Sequence, residues 1–125
     1  MAMAKRNLRG LRVMVTGASS GIGAALAREL VDAGARVLIT ARRTERLESL
    51  ADQLRDRGGE VVWVAGDLTD PAVRRQLIAT ASSRWAGLDI LVNNAGAGRW
   101  GTFSSGSELQ LREILEIRSE EHTSE

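Results

Sequence analysis

Apolar and polar positions change period along the chain, and the changes mark its elements. Arg12 to Thr16 (RVMVT) is a short β-rich run that stops at Gly17-Ala18-Ser19-Ser20-Gly21-Ile22-Gly23. From Ile22 the period becomes helical. Ile22, Ala25, Leu26, Leu30 and Val31 are expected to share one face, and Gly34 is placed to end the helix. Arg36 to Thr40 (RVLIT) is a second strand. Thr44 is a candidate N-cap for a helix to about Arg57, with Leu47, Leu50, Ala51 and Leu54 facing inward and Gly58-Gly59 closing it. Val61 to Ala65 (VVWVA) is a third strand. Asp70-Pro71 sets a capping side chain before a proline at the first helical position, and that helix runs to about Trp85. Its inward positions are Val73, Leu77, Ile78 and Ala81. Leu88 to Asn93 (LDILVN) is a fourth strand. Asn94 to Gly106 is rich in Gly and Ser and reads as a loop. Ser105 and Glu108 then stand at capping-box spacing before a last helix carrying Leu109, Leu111, Ile114, Leu115 and Ile117.

Strands and helices therefore alternate four times. The strands are continuous apolar runs, not alternating ones, which predicts an α/β fold with a parallel sheet covered on both faces. Right-handed crossovers limit the topology to a doubly wound sheet, here truncated to four strands in spatial order 3-2-1-4. Strand four is expected to be an unprotected edge, and that edge together with the cut last helix is expected to leave the chain marginal or aggregation-prone.

Composition narrows the chemistry. A chain of 125 residues holds one domain at most. With no Cys there is no disulfide framework, thiolate zinc site or Cys nucleophile, and one His cannot make a multi-His metal site. No metal ligand set is predicted. A formal charge of +1 argues against a dedicated nucleic-acid binder. Lys5, Arg6 and Arg9 are not followed by a signal-like apolar run, and no stretch approaches the roughly 18 apolar residues of a membrane span. The expectation is a cytoplasmic protein without a membrane partner.

The turn after the first strand carries the clearest chemical signal. A dinucleotide pyrophosphate needs close backbone approach and free N–H groups at a helix N-terminus, where the dipole favours negative charge. Gly17 permits the tight turn, Gly21 lets phosphates approach, and Gly23 lets the helix pack close to the sheet. A glycine turn required only for packing gives the same pattern. The strand–turn–helix setting favours the cofactor reading.

Thr16-Gly17-Ala18-Ser19-Ser20-Gly21-Ile22-Gly23 is similar to the TGxxxGxG motif of the short-chain dehydrogenase/reductase family. Asn93-Asn94-Ala95-Gly96 resembles that family's NNAG motif, and Asp67-Leu68 resembles its adenine-ring contact. The three motifs occur in the family's order, and the resemblance covers Leu8 to Ile117. It implies a Rossmann-type fold and a nicotinamide cofactor held by Gly17, Ser19, Ser20, Gly21, Ile22, Gly23, Arg42, Arg43, Asp67, Leu68, Asn93, Ala95 and Gly96. Bland readings stay open for several of these. Asp67 would serve as a turn former, Asp70 as an ordinary N-cap, and Asn93 and Asn94 as partners for backbone groups at a bend. Trp63, Trp85 and Trp100 are most simply core or surface aromatics, although Trp100 and Phe103 lie where the family often admits substrate.

The second strand ends Thr40-Ala41-Arg42-Arg43. An NAD-selective site places a carboxylate there for the ribose hydroxyls; two guanidiniums suit a 2′-phosphate instead. NADP is therefore expected over NAD, with Arg42 the more direct contact, against the alternative of two solvated surface arginines. Ser20 stands where some NADP-preferring relatives have a basic residue, so that contact is absent.

The resemblance implies a catalytic Asn, Ser and Tyr-x-x-x-Lys pair. None can be assigned: the chain has no Tyr, and at the family's usual spacing from Asn93 the Asn falls on Arg118. From there Arg118-Ser119-Glu120-Glu121-His122-Thr123-Ser124-Glu125 breaks the apolar period and matches, residue for residue, the translation of a widely used sequencing adapter. Residues 1–117 are thus expected to be the N-terminal part of a cofactor-binding domain and 118–125 a non-native tail; an ordinary polar tail is the alternative. Removing Arg118, Glu120, Glu121 and Glu125 from 17 basic and 16 acidic residues leaves 16 and 13, net +3. The family implies hydride transfer between a nicotinamide and a carbonyl or secondary alcohol, by a homodimer or homotetramer, with this chain inactive. A non-catalytic nucleotide-binding module and a methyltransferase of similar fold are the competing classes. NNAG and the arginine pair speak against the second.

Overall fold

The computed structural model describes residues 8–19 and 21–93, and the backbone of 99–102. The elements run β1 (Arg12–Thr16), α1 (Gly21–Asp32), β2 (Arg36–Ala41), α2 (Thr44–Asp56), β3 (Glu60–Ala65), α3 (Pro71–Trp85), β4 (Ile90–Asn93) and β5 (Arg99–Thr102). The sheet order is β3-β2-β1-β4-β5. β1 to β4 are parallel, as the continuous apolar runs require, in the expected order 3-2-1-4.

Side chains leave a strand on alternate faces, so each apolar run feeds two cores. On one face Val13, Val15, Val37, Ile39 and Val61 pack with Ala27, Leu30, Leu47 and Leu54 of α1 and α2. On the other, Met14, Leu38, Val64 and Leu91 pack with Leu77, Ile78, Ala81 and Trp85 of α3. Truncating one of the fully buried leucines, Leu38 or Leu54, removes about 2–5 kcal/mol by lost transfer energy and the cavity left behind.

Two helix ends follow the sequence reading. At the end of α1, Gly34 takes φ +92°, with its N–H on the Val31 carbonyl and the Ala35 N–H on the Leu30 carbonyl. At the start of α3, the Asp70 side chain accepts the Ala72 N–H at 2.9 Å.

Three expectations need correction. The buried stripe of α1 is Gly23, Ala27, Leu30 and Val31, whereas Ala25 is exposed and Ile22 is 76% exposed. Leu30 and Val31 are in the stripe as expected and Leu26 packs partly against the core, so the departure lies in the first half of a helix whose alanines fix the apolar azimuth weakly. Thr44 is the first residue of α2 and not its cap. Arg43 stands at the cap position, and no side chain caps that end. Finally, the segment read as a loop contains β5, which pairs antiparallel with β4 from Ile90↔Thr102 to Asn93↔Arg99. β4 is therefore not a free edge. An open ladder pairs with whatever segment can reach it, and an antiparallel return needs only a turn where a parallel one needs a crossover. Phe103, the Ser105–Glu108 capping box, the last helix and residues 118–125 lie outside the described residues.

The amino end of the sheet is closed by a polar network that the periodicity did not announce. Arg12 donates two hydrogen bonds to the Asp89 carboxylate, Nη2 to Oδ1 at 2.8 Å and Nε to Oδ2 at 2.9 Å, and a third from Nη1 to the Trp85 carbonyl. The Arg12 backbone N–H also reaches Asp89 Oδ2 at 2.8 Å, and the Asp89 N–H returns to the Arg12 carbonyl. Trp85 donates Nε1–H to Glu60 at 2.7 Å, while the Arg36 guanidinium lies over its ring. These hydrogen bonds from Arg12 hold the Asp89 carboxyl below the usual carboxylate range, against the opposing effect of its partial burial, and Arg12 is raised in turn.

Candidate functional site

The glycine turn, the exit of β2 and the exit of β3 meet at the carboxyl end of the sheet, where doubly wound folds bind their ligands. Gly17 takes φ +64°, a conformation that favours glycine, and turns the chain from β1 toward α1. The buried Ala18 then donates its N–H to the Thr40 carbonyl at 3.1 Å, tying the turn to the end of β2. Ser19 is half-buried beside it. Gly21 opens α1 and is exposed. A Cβ there would meet nothing within 4 Å, so the space beside the start of α1 is open. Gly23 is buried against the sheet, and Ile22 projects outward at the same corner. Ser20 lies outside the described residues. An open groove of about 430 Å³ continues from Ala18 and Ser19 between α1 and α2, past Arg28, Arg46 and Gln53.

On the α3 face a polar row crosses three strands. Thr16 stands in register with Thr40 on one side and Asn93 on the other. All three are buried. Thr16 Oγ1 donates to Asn93 Oδ1 at 3.0 Å, linking the first and last motifs of the sequence. Thr40 Oγ1, in a residue only 1% exposed, has no hydrogen-bond partner among the described residues. An unpaired buried hydroxyl costs stability unless water or another group meets it, and Arg74 Nε is likewise unpaired among the described residues. Asn94, Ala95 and Gly96 lie outside the described residues.

The third wall is the exit of β3. The Gly66 N–H binds the Ala41 carbonyl at 2.9 Å, and its φ is +153°. A Cβ on Gly66 would sit 2.6 Å from a Val73 methyl, so glycine is required for α3 to pack. Asp67 Oδ1 accepts both the N–H and the hydroxyl of Thr69 at 2.9 Å, so the turn-forming reading of Asp67 holds. Its other oxygen lies 3.9 Å from Arg42 Nη2. Leu68 is half-buried against the α3 core, and its carbonyl accepts Arg74 Nη1 at 2.9 Å. Arg42 and Arg43 are both exposed, and Arg43 precedes α2.

Gly17, Ser19, Gly21, Ile22, Arg42, Arg43, Asp67, Leu68 and Asn93 thus all belong to this end of the sheet, with Gly23 packed beneath the turn. The sequence reading missed Gly66, Thr40 and Arg74. Only Gly66 left a trace, as a glycine between a strand and an acidic turn.

A family model described as short chain dehydrogenase matches residues 12–120. A putative ketoacyl reductase of granaticin polyketide synthase from Streptomyces violaceoruber is 46% identical over 99 residues, 78% of this chain and 36% of the relative. An NADP-dependent 3-hydroxy acid dehydrogenase of Salmonella typhi is 40% identical over 84 residues, 67% of this chain and 33% of the relative. Among solved structures, L-sorbose reductase of Gluconobacter frateurii, complexed with NADPH and L-sorbose, superposes with TM-score 0.69 at 31% identity, covering 91% of this chain and 47% of that one. The chain spans about a third of the length of the curated relatives it matches. With a family model matching most of its length and its motif residues gathered at one end of a parallel sheet, this chain belongs to the short-chain dehydrogenase family.

Proposed function

We propose that this chain is the cofactor-binding part of an NADP-dependent oxidoreductase acting on a carbonyl or secondary alcohol. The observation that carries the choice of NADP is the exit of β2. It presents Arg42 and Arg43, with no acidic residue at that exit itself, beside the glycine turn. The relative named NADP-dependent and the neighbour crystallised with NADPH support the same reading.

When bound, the nicotinamide supplies or accepts the hydride. The residues of this chain hold and orient. The first-turn N–H groups of α1, reachable because Gly21 has no side chain, would hold the pyrophosphate. Arg42, with Arg43 behind it, would neutralise the 2′-phosphate. The turn at Asp67 and Leu68 would bound the adenine, with Arg74 fixing the Leu68 carbonyl. Asn93, clamped by Thr16, would lie under the nicotinamide ribose. The chain has no Tyr, so the proton transfer that the family assigns to that residue has no donor here. We therefore propose that the 125 residues bind cofactor without turning it over. Residues 118–125 are proposed to be foreign to the domain. The functional protein is proposed to be a cytoplasmic homodimer or homotetramer; no helix among the described residues is long and apolar enough to cross a membrane.

The test is a titration of the chain with NADPH and NADH, followed by cofactor fluorescence. NADPH is expected to bind at least about tenfold more tightly, and Arg42→Ala to remove most of that difference. Equal affinities, or an unaffected Arg42→Ala, would overturn the choice of NADP. Carbonyl-dependent oxidation of NADPH by the chain would overturn its inactivity.

A further inference from the structure

The Arg42–Asp67 pair joins two residues read separately from the sequence, one toward a phosphate and one toward a base. They meet because the strands that deliver them are neighbours in register. Ala41 pairs with Ala65, and the Gly66 N–H closes on the Ala41 carbonyl. Asp67 cannot swing freely. Thr69 holds its Oδ1 twice, which aims Oδ2 at the Arg42 guanidinium 3.9 Å away. Among the described residues it is the one ion pair at the carboxyl end of the sheet; the others lie at the amino end or on the helices. Both side chains are solvent-accessible, 73% for Arg42 and 47% for Asp67. A pair so exposed and so long shifts an equilibrium by no more than about fivefold, weak enough for a dianionic phosphate to displace.

We propose that Asp67 is a specificity-determining residue for the 2′-phosphate: it parks Arg42 over the adenosine subsite and yields it to the phosphate, so the Asp67 charge limits the preference for 2′-phosphorylated adenosine. This rests on the NADP reading above. Two consequences follow from the charges. The carboxylate competes with the phosphate for one guanidinium, and it repels the phosphate once displaced. Both weaken discrimination, and neither acts at the 2′ position of a nucleotide that lacks that phosphate. Removing the charge while keeping the turn therefore sharpens selectivity. Asp67→Asn does this, because an amide oxygen still accepts both bonds from Thr69.

The experiment measures the ratio of dissociation constants for 5′-AMP and adenosine 2′,5′-bisphosphate, a ratio from which any loss of adenine contact cancels. It uses the wild-type chain, Asp67→Asn, Arg42→Ala and the double variant, by calorimetry at low salt. Asp67→Asn is expected to raise the ratio about threefold to fivefold, and the gain to shrink to less than about twofold in the Arg42→Ala background. A second readout needs no variant: the Arg42 guanidinium resonance of the wild-type chain is expected to shift with the bisphosphate and not with 5′-AMP. An unchanged ratio in Asp67→Asn, or an equal gain without Arg42, overturns the proposal while leaving NADP selectivity standing. A wild-type ratio near one overturns the NADP reading itself.

Discussion

The two ends of the parallel sheet satisfy their polar groups to different degrees. At the amino end, Arg12, Asp89, Trp85 and Glu60 satisfy one another within a half-buried network. At the carboxyl end Thr16 bonds Asn93 and Asp67 faces Arg42 at 3.9 Å, but Arg42 and Arg43 are exposed, and among the described residues no side chain caps the start of α2 and none meets the buried Thr40 hydroxyl. The first end spends its hydrogen bonds on locking β1 to β4 and to the end of α3. The less satisfied end is the one where the motif residues gather and where the cofactor is proposed to bind.

The largest test of the contrast is Asp89→Ala. It leaves the buried Arg12 without its carboxylate, and is expected to destabilise the chain by about 3 kcal/mol or more in urea unfolding. A loss below about 1 kcal/mol would show that the amino end is no lock. Gly66→Ala comes next, at about 2 kcal/mol, because the new Cβ collides with Val73; nucleotide affinity should fall with stability, since the same turn carries Asp67. Thr40→Val is expected to act in the other direction, stabilising by about 1 kcal/mol by removing an unsatisfied hydroxyl. Thr16→Val, one strand away, should cost a similar amount by orphaning Asn93 Oδ1. Opposite signs at these paired positions are the sharpest form of the comparison, and equal signs would erase it.

The smallest effect concerns pH. The Asp89 carboxyl is held low in the folded state, so its contribution is present above its ordinary unfolded value and is lost as pH falls through the folded one. Stability should therefore decline on the acid side, below about pH 4. Asp89→Asn should flatten part of that decline. Asp32, which Arg57 also holds low, acts in the same direction. A decline unchanged in Asp89→Asn would assign it elsewhere.

Much of the fold was legible because parallel α/β architecture writes itself locally. Continuous apolar strands, a helical period between them and glycines at the junctions are each short-range signals. Asp70-Pro71 and Gly34 marked helix ends because a cap and a left-handed residue act within one turn. Ile22 misled because the apolar period in an alanine-rich helix barely distinguishes one azimuth from the next. β5 was illegible because Arg99–Thr102 becomes a strand only through the ladder that β4 offers it.

The same division runs through the site. The sequence by itself determined the glycine turn, the arginine-bearing exit of β2, the acidic turn after β3 and the absence of Tyr, since these are statements about residue type and order. Only the tertiary structure decided that Arg42 meets Asp67, that Thr16 clamps Asn93, that Thr40 is left unpaired and that Gly66 must lack a side chain. Each of these depends on which strands lie side by side and in what register. Register is a property of the assembled sheet, and no local stretch of sequence encodes it.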